Sequence, residues 1–238
     1  MDNYFDIAAI NLKKTYGTFE ALKGVTLKVK KGEFYTLFGP NGAGKTSLIK
    51  LLSTLTDPTS GSLEVFGFDA KGQVKNIRAA VGVISHDTYL YENLTAYENI
   101  SFFANLYGIA NIDNKVRSVI DKVGLKTRMH DLVRTFSRGM KQRLTVARAL
   151  VHDPHILLLD EPYTGLDLNG AQIFGDMLSE LKNNQRTILM TTHNIDEGLD
   201  LSDRVGILVN GQIVFEGFTK DLEKNDFKEL YISHVQSA

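Results

Sequence analysis

The sequence predicts an α/β fold with a mainly parallel sheet at its centre, and three observations predict it. Short runs of near-continuous apolarity, Phe34 to Phe38, Val81 to Ile84 and Ile156 to Leu159, read as strands buried on both faces. Three of the chain's strands end on chemically loaded residues: Gly39, the pair Asp160-Glu161, and His193. The segments between carry helical spacing instead. In an open parallel sheet the carboxyl ends of the strands converge on one edge, which is where ligands bind.

Composition bounds the reading. The 238 residues suffice for one large domain with a well-buried core. Lys+Arg 27 against Asp+Glu 28 gives a net charge of −1, so no global field draws the chain to nucleic acid or anionic lipid. There is no cysteine, which removes disulfides and thiolate metal sites. The start, Met-Asp-Asn-Tyr-Phe-Asp, lacks the basic and apolar regions of a signal peptide. No run approaches the roughly 20 apolar residues that span a bilayer. The expectation is a cytoplasmic chain; any membrane part would come from another polypeptide.

Taken in order, Tyr4 to Leu12 and Val25 to Val29 predict half-exposed antiparallel strands, with Val25, Leu27 and Val29 alternating against Thr26 and Lys28. Thr15-Tyr16-Gly17 is a turn whose tyrosine either covers a hairpin or offers a plate to a purine base. Leu63, Val65 and Phe66 predict a further strand, and a basic segment from Lys75 to Arg78 leads into Val81 to Ile84. Thr95-x-x-Glu98 is a capping box, with Leu94 placed as its hydrophobic staple, ahead of a helix through Tyr97, Ile100, Phe103, Ala104 and Tyr107. A second helix runs from Asp113 to Val123 and stops at Gly124; a third has Ser137 as N-cap and Leu144, Ala147, Leu150 and Val151 on one face. A helix from Asn169 to Leu181 and a strand from Thr187 to Thr192 follow the run at Ile156. Val205 to Val209 and Ile213 to Phe215 flank Asn210-Gly211, the signal of a type I′ hairpin, and the last twenty or so residues hold a short helix.

Gly39-Pro40-Asn41-Gly42-Ala43-Gly44-Lys45-Thr46, between a strand and an apolar-periodic helix, is a phosphate-binding loop. Glycines let successive N–H groups face one concavity, and the helix that follows adds the positive end of its dipole. Lys45 brings a mobile charge to the terminal phosphates, and Thr46, followed by Ser47, places a hydroxyl where an accompanying magnesium needs a ligand. Two carboxylates at the end of a strand as apolar as Ile156 to Leu159 require a reason. Asp160 is placed to hold the magnesium shell, and Glu161 to orient or deprotonate a water beyond the γ-phosphate. His193 either donates to that phosphate or is a structural histidine.

These motifs together resemble the ATP-binding-cassette (ABC) ATPases. Gly39 to Thr46 looks like Walker A, Ser137 to Arg143 like the signature, Ile156 to Glu161 like Walker B, Thr164 to Asp167 like the D-loop, and His193 like the switch histidine. The likeness runs from Ile7 to Gly217. It implies a P-loop NTPase with a RecA-like, mainly parallel sheet core, an antiparallel β subdomain and an α-helical subdomain. Residues 1–88 and 154–217 would be the nucleotide-binding core with its β subdomain, 89–153 the helical signature subdomain, and 218–238 a short tail. It further implies ATP and Mg2+ as ligands, adenine stacking on Tyr16, and Asp167 near the nucleotide. Ser137, Arg138, Gly139 and Met140 would face the ATP of a second ATPase subunit, identical or not. Separate integral membrane permease subunits at the cytoplasmic face would be the partners, with Tyr89, Leu90, Tyr91, Phe102 and Phe103 as docking residues, and no nucleic acid.

Two departures stand out. Arg138 and Met140 occupy positions where the signature commonly has glycine and glutamine, and His86 stands where a metal-contacting glutamine is usual, which favours a water-mediated role for His86. The resemblance leans to exporters of the heme, multidrug or polysaccharide type, helped by a C-terminus too short for a regulatory domain. Two other classes stay open at the level of sequence: a soluble cassette ATPase acting on DNA or ribosomes, and a kinase or GTPase that shares only the phosphate loop.

Overall fold

A computed structural model describes residues 5–85 and 87–236. The chain opens with a long hairpin, β1 (Phe5–Tyr16) and β2 (Phe19–Lys30), and then runs β3 (Phe34–Phe38), the phosphate loop and α1 (Lys45–Leu52). β4 (Ser60–Val65), β5 (Phe68–Asp69), α2 (Val74–Ala80) and β6 (Val81–Ser85) follow. Three helices come next: α3 (Ala96–Leu106), α4 (Ile112–Lys122) and α5 (Arg138–Leu150). The second half alternates β7 (Ile156–Asp160), α6 (Leu168–Asn183), β8 (Thr187–Thr192), α7 (Ile195–Leu199), β9 (Arg204–Val209), β10 (Gln212–Phe218) and α8 (Lys224–Gln236).

Two sheets form. One is antiparallel, in the order β2-β1-β4-β5; the other has the order β10-β9-β3-β8-β7-β6. In the second, β9, β3, β8, β7 and β6 are mutually parallel, and β10 closes one edge antiparallel to β9. Every residue of β3, β7 and β8 is buried, as two-faced strands require. Period-two alternation then decides what each face meets. Tyr35, Leu37, Ile156 and Leu158 pack with Leu48, Ile49, Leu51 and Leu52 of α1 and the inner face of the antiparallel sheet. Phe34, Leu157, Leu159, Ile188 and Met190 pack instead with the helices, among them Leu144 and Ala147 of α5. α1 is therefore held between the sheets, and the loop at its start is fixed from both sides.

The helix ends follow their sequence signals. Thr95 and Glu98 form the reciprocal capping box, Ser137 accepts from the Met140 N–H, and α4 gives way to Gly124 at φ +68. Asn210 and Gly211, at φ 49 and 79, make the expected turn between β9 and β10. Two expectations need correction. β1 continues past Leu12 to Tyr16, because Asn11 at φ 48 sits where the register of both neighbouring strands shifts, and the shift breaks the alternation. The basic segment at Lys75 to Arg78, for which the sequence set no element, is helical, with Arg78 Nε donating to Thr54 Oγ1 at 3.0 Å. Leu94 has no apolar partner at the fourth helical position; Asn99 stands there, fully buried, and its amide bonds the Tyr91 N–H at 2.8 Å and the Tyr91 carbonyl at 3.0 Å.

Candidate functional site

β3, β8 and β7 are adjacent and parallel, so Gly39, His193 and the Asp160-Glu161 pair leave the sheet side by side. A cleft of about 460 Å³ opens there, lined by Pro40, Asn41, Gly42, Ala43, Gly44, Lys45, Thr46 and Ser47 together with Phe19, Ala21, Glu161, Thr164 and His193. The loop's path depends on its glycines. Gly44 caps α1 at φ +110, and a Cβ there would lie 2.6 Å from the Ala21 carbonyl oxygen. The hairpin turn of the second sheet braces the loop: the Gly211 N–H donates to the Ala43 carbonyl at 2.9 Å, and Lys23 donates to the Gly211 carbonyl at 2.9 Å. Both sheets thus grip one turn of backbone.

Lys45 is buried, and its ammonium donates to the carbonyls of Gly39 at 2.5 Å and Pro40 at 3.1 Å. Glu161 Oε1 is 3.2 Å from the same nitrogen, an ion pair in distance without hydrogen-bond alignment, since that oxygen has no hydrogen-bonded partner. Glu161 Oε2 is 2.9 Å from His193 Nδ1. With the proton on Nδ1, the imidazole donates to the carboxylate and keeps Nε2 on the opposite side of the ring. The glutamate backbone sits in the left-handed region at φ 50, held by its own N–H to Thr191 O at 3.0 Å and by Thr164 N–H to its carbonyl at 3.2 Å. Such a conformation persists in a residue with a Cβ only when its surroundings fix it.

Asp160 is 3% exposed, and Oδ1 accepts from the Thr191 hydroxyl at 2.7 Å. Nearby, burial and then the charge of Glu161 push the Glu197 carboxyl above its ordinary range, and its oxygens are held by Asn194 Nδ2 at 2.9 Å and Thr192 Oγ1 at 3.5 Å. Phe227 of α8 meets Phe38, the residue before Gly39, edge-on at 5.1 Å between ring centres, and Lys224 and Lys228 pair with Asp196 of α7 at 3.0 and 3.1 Å. The C-terminal helix therefore backs two of the three strand ends.

The remaining site residues lie elsewhere. Ser137, Arg138, Gly139 and Met140 line a second cleft of about 250 Å³ with Arg143, Gly165 and Asp167. Asp167 is also the N-cap of α6, accepting from Gly170 N–H at 2.7 Å. Tyr16 is 44% exposed and outside the lining of the first cleft; its strand partner Phe19, 62% exposed, is on that lining. His86 falls outside the described residues. Sequence reasoning placed Thr164 and Gln142 in the D-loop-like and signature-like stretches without their contacts, and missed Phe19, Ala21 and Thr191. Only Phe19 carried a signal, as a second aromatic in the turn of Tyr16.

A parallel sheet that brings a glycine loop, a lysine, a glutamate and a histidine to one cleft, with Asp160 buried at the end of the strand that leads into that glutamate, defines a phosphate-loop nucleoside triphosphatase. The family model described as "ABC transporter" matches residues 22–164, more than half of the chain. The ABC transporter ATP-binding protein NatA of Bacillus subtilis is 36% identical over 213 residues, covering 88% of this chain and 87% of NatA. The bacitracin transport ATP-binding protein BcrA of Bacillus licheniformis is 39% identical over 225 residues, 94% of this chain and 73% of BcrA. Among solved structures, the dimeric post-hydrolysis state of the ATP-binding cassette MJ0796 bound to ADP and Pi superimposes with a TM-score of 0.83 at 26% identity, covering 90% of this chain and 98% of that one. The chain belongs to the ABC transporter family. It is an ATP-binding, ATP-hydrolysing component of the transport type, which sets aside both the DNA or ribosome reading and the kinase or GTPase reading.

Proposed function

We propose that two cassettes close head-to-tail around two ATP molecules, and that this closure drives export through separate membrane subunits. The observation that carries the reading is the separation of the two clefts. Ser137 and the N–H groups at the start of α5 form a second anion cradle that does not line the phosphate-loop cleft. A two-fold arrangement with a second ATPase subunit completes both sites at once. A relative named for bacitracin transport supports the coupling to transport, and a dimeric cassette bound to ADP and Pi supports this stoichiometry.

Within one site, the loop from Gly39 to Gly44 and Lys45 would hold the β- and γ-phosphates. Tyr16 would take the adenine face, and Phe19, already on the cleft wall, would share that role. Glu161 would orient and deprotonate the attacking water, with His193 steering the carboxylate through the 2.9 Å contact. The Thr46 hydroxyl and the Asp160 carboxylate are hard oxygen donors of the kind magnesium prefers. Among the described residues no cluster of three His, Cys, Asp or Glu side chains could hold a metal by itself, so phosphate and water oxygens would complete the shell. Mg2+ so bound would neutralise charge on the phosphate oxygens.

Residues 89–153 would move as a helical signature subdomain against a core of 1–88 and 154–217, with 218–238 as a tail. Tyr89, Tyr91 and Phe102 are 64%, 50% and 40% exposed, and the Tyr91 and Phe102 rings meet edge-on at 5.2 Å. With Leu90 and Phe103 they would dock the permease. Among the described residues no helix is long and apolar enough to cross a membrane. Docked on permease subunits through these residues, the chain would sit peripherally at the cytoplasmic face.

Light scattering tests the dimer. Glu161→Gln with ATP should double its mass, and adding Ser137→Arg should keep it monomeric. A monomer in both cases at millimolar ATP refutes head-to-tail closure.

A further inference from the structure

We propose that Arg138, backed by Gln142, is a positioning residue that ties the signature helix to catalytic Glu161 of the same chain. The proposal rests on the two-site reading above. Arg138 and Gln142 stand one helical turn apart on α5, so their side chains leave the same face about 6 Å apart along the axis. Both reach one loop. Arg138 Nη2 donates to the Thr164 carbonyl at 3.0 Å, and Gln142 Nε2, from a side chain only 5% exposed, donates to the Pro162 carbonyl at 2.9 Å.

That loop leads straight to the proposed base. Thr164 N–H donates to the Glu161 carbonyl at 3.2 Å, closing the turn that holds Glu161 at φ 50. The Arg138 guanidinium also lies against Gly165, at φ +76, so closely that a Cβ there would collide with it. A glycine at position 138, as in the common signature, has no side chain to make this contact. Two hydrogen bonds therefore link the start of α5, which would face one nucleotide, to the turn that follows Glu161, whose carboxylate would serve the other. Engagement of the signature would thereby bias where Glu161 sits.

The test uses the full chain with Arg138→Met, Arg138→Lys and Gln142→Met. Three quantities are read: amide exchange of residues 163–166 without nucleotide, affinity for a fluorescent ATP analogue, and kcat from phosphate release. The clamp predicts severalfold faster exchange in both methionine variants, kcat lowered about tenfold, and affinity within twofold of the unsubstituted chain. Arg138→Lys, which keeps a donor, should recover most of the loss. Slowed turnover in Arg138→Met with Gln142→Met unaffected means that Arg138 acts directly on phosphate, and overturns the proposal. Unchanged exchange overturns it as well. If Gln142→Met does not fold, Gly165→Ala, whose methyl displaces the same guanidinium, takes its place with the same expectations. No turnover in the unsubstituted chain refutes the ATPase reading instead, and the clamp's role with it.

Discussion

Thr191→Val removes one buried hydroxyl at the heart of the site, whose shorter contact is to Asp160 and whose longer one, at 3.4 Å, is to the Leu159 carbonyl. Thr191 is fully buried on β8, and its hydroxyl donates to Asp160 Oδ1 at 2.7 Å, with Asp160 itself 3% exposed. Valine keeps the β-branched shape and strand preference and removes only the donor. A buried carboxylate oxygen is then left facing a methyl group. A hydrogen bond to a charged group is worth about 1.5–3 kcal/mol, and burial removes the water that would compensate. For a domain of this size each kcal/mol shifts the melting temperature by about 2–4 °C, so calorimetry should show a fall of about 3–12 °C. ATP turnover should fall too, because Asp160 loses the partner that fixes its rotamer. Unchanged melting and unchanged turnover would refute the claim that Thr191 holds Asp160.

Further expectations test other joints. Phe227→Ala removes a fully buried ring that meets Phe38 edge-on and should cost about 3–5 kcal/mol in urea unfolding. Gly44→Ala places a methyl 2.6 Å from the Ala21 carbonyl oxygen at a backbone φ of +110, and nucleotide titration should show affinity weakened by about tenfold or more. His152 is stacked on Tyr107 at 3.9 Å, and burial holds its pKa below the ordinary 6.5. The unfolded chain therefore takes up a proton first as pH falls through about 6.5, and stability drops below that pH. His152→Gln should flatten the difference between unfolding midpoints at pH 7.5 and pH 5.5; an unaltered slope would contradict the assignment.

The parts legible in the sequence were those governed by local rules. Thr95 with Glu98, Ser137, Gly124 and Asn210-Gly211 each set a helix end or turn through their own side chain or backbone freedom, and the structure shows them in those places. Buried strands announced themselves because two covered faces demand unbroken apolarity, as in Ile156 to Leu159. The phosphate loop, Glu161 and His193 do come together in one cleft. What stayed hidden depends on partners distant in sequence. α2 and α7 are only seven and five residues long, and α2 buries just Ile77 and Ala80, too little for a periodic signal. Thr191 acquires its meaning from Asp160 across a strand pair, and Gln142 from Pro162 across the core. Phe19 reaches the cleft only because the bulged strand β1 carries the hairpin past the point where alternation stops.

Steady-state phosphate release by the Glu161→Gln chain tests the central claim most directly, because glutamine keeps the size of the side chain and removes its basicity. Loss of a positioned general base costs about 10²–10⁴-fold in rate. The expected result is turnover lowered by at least a hundredfold with ATP still bound; turnover equal to that of the unsubstituted chain would contradict it.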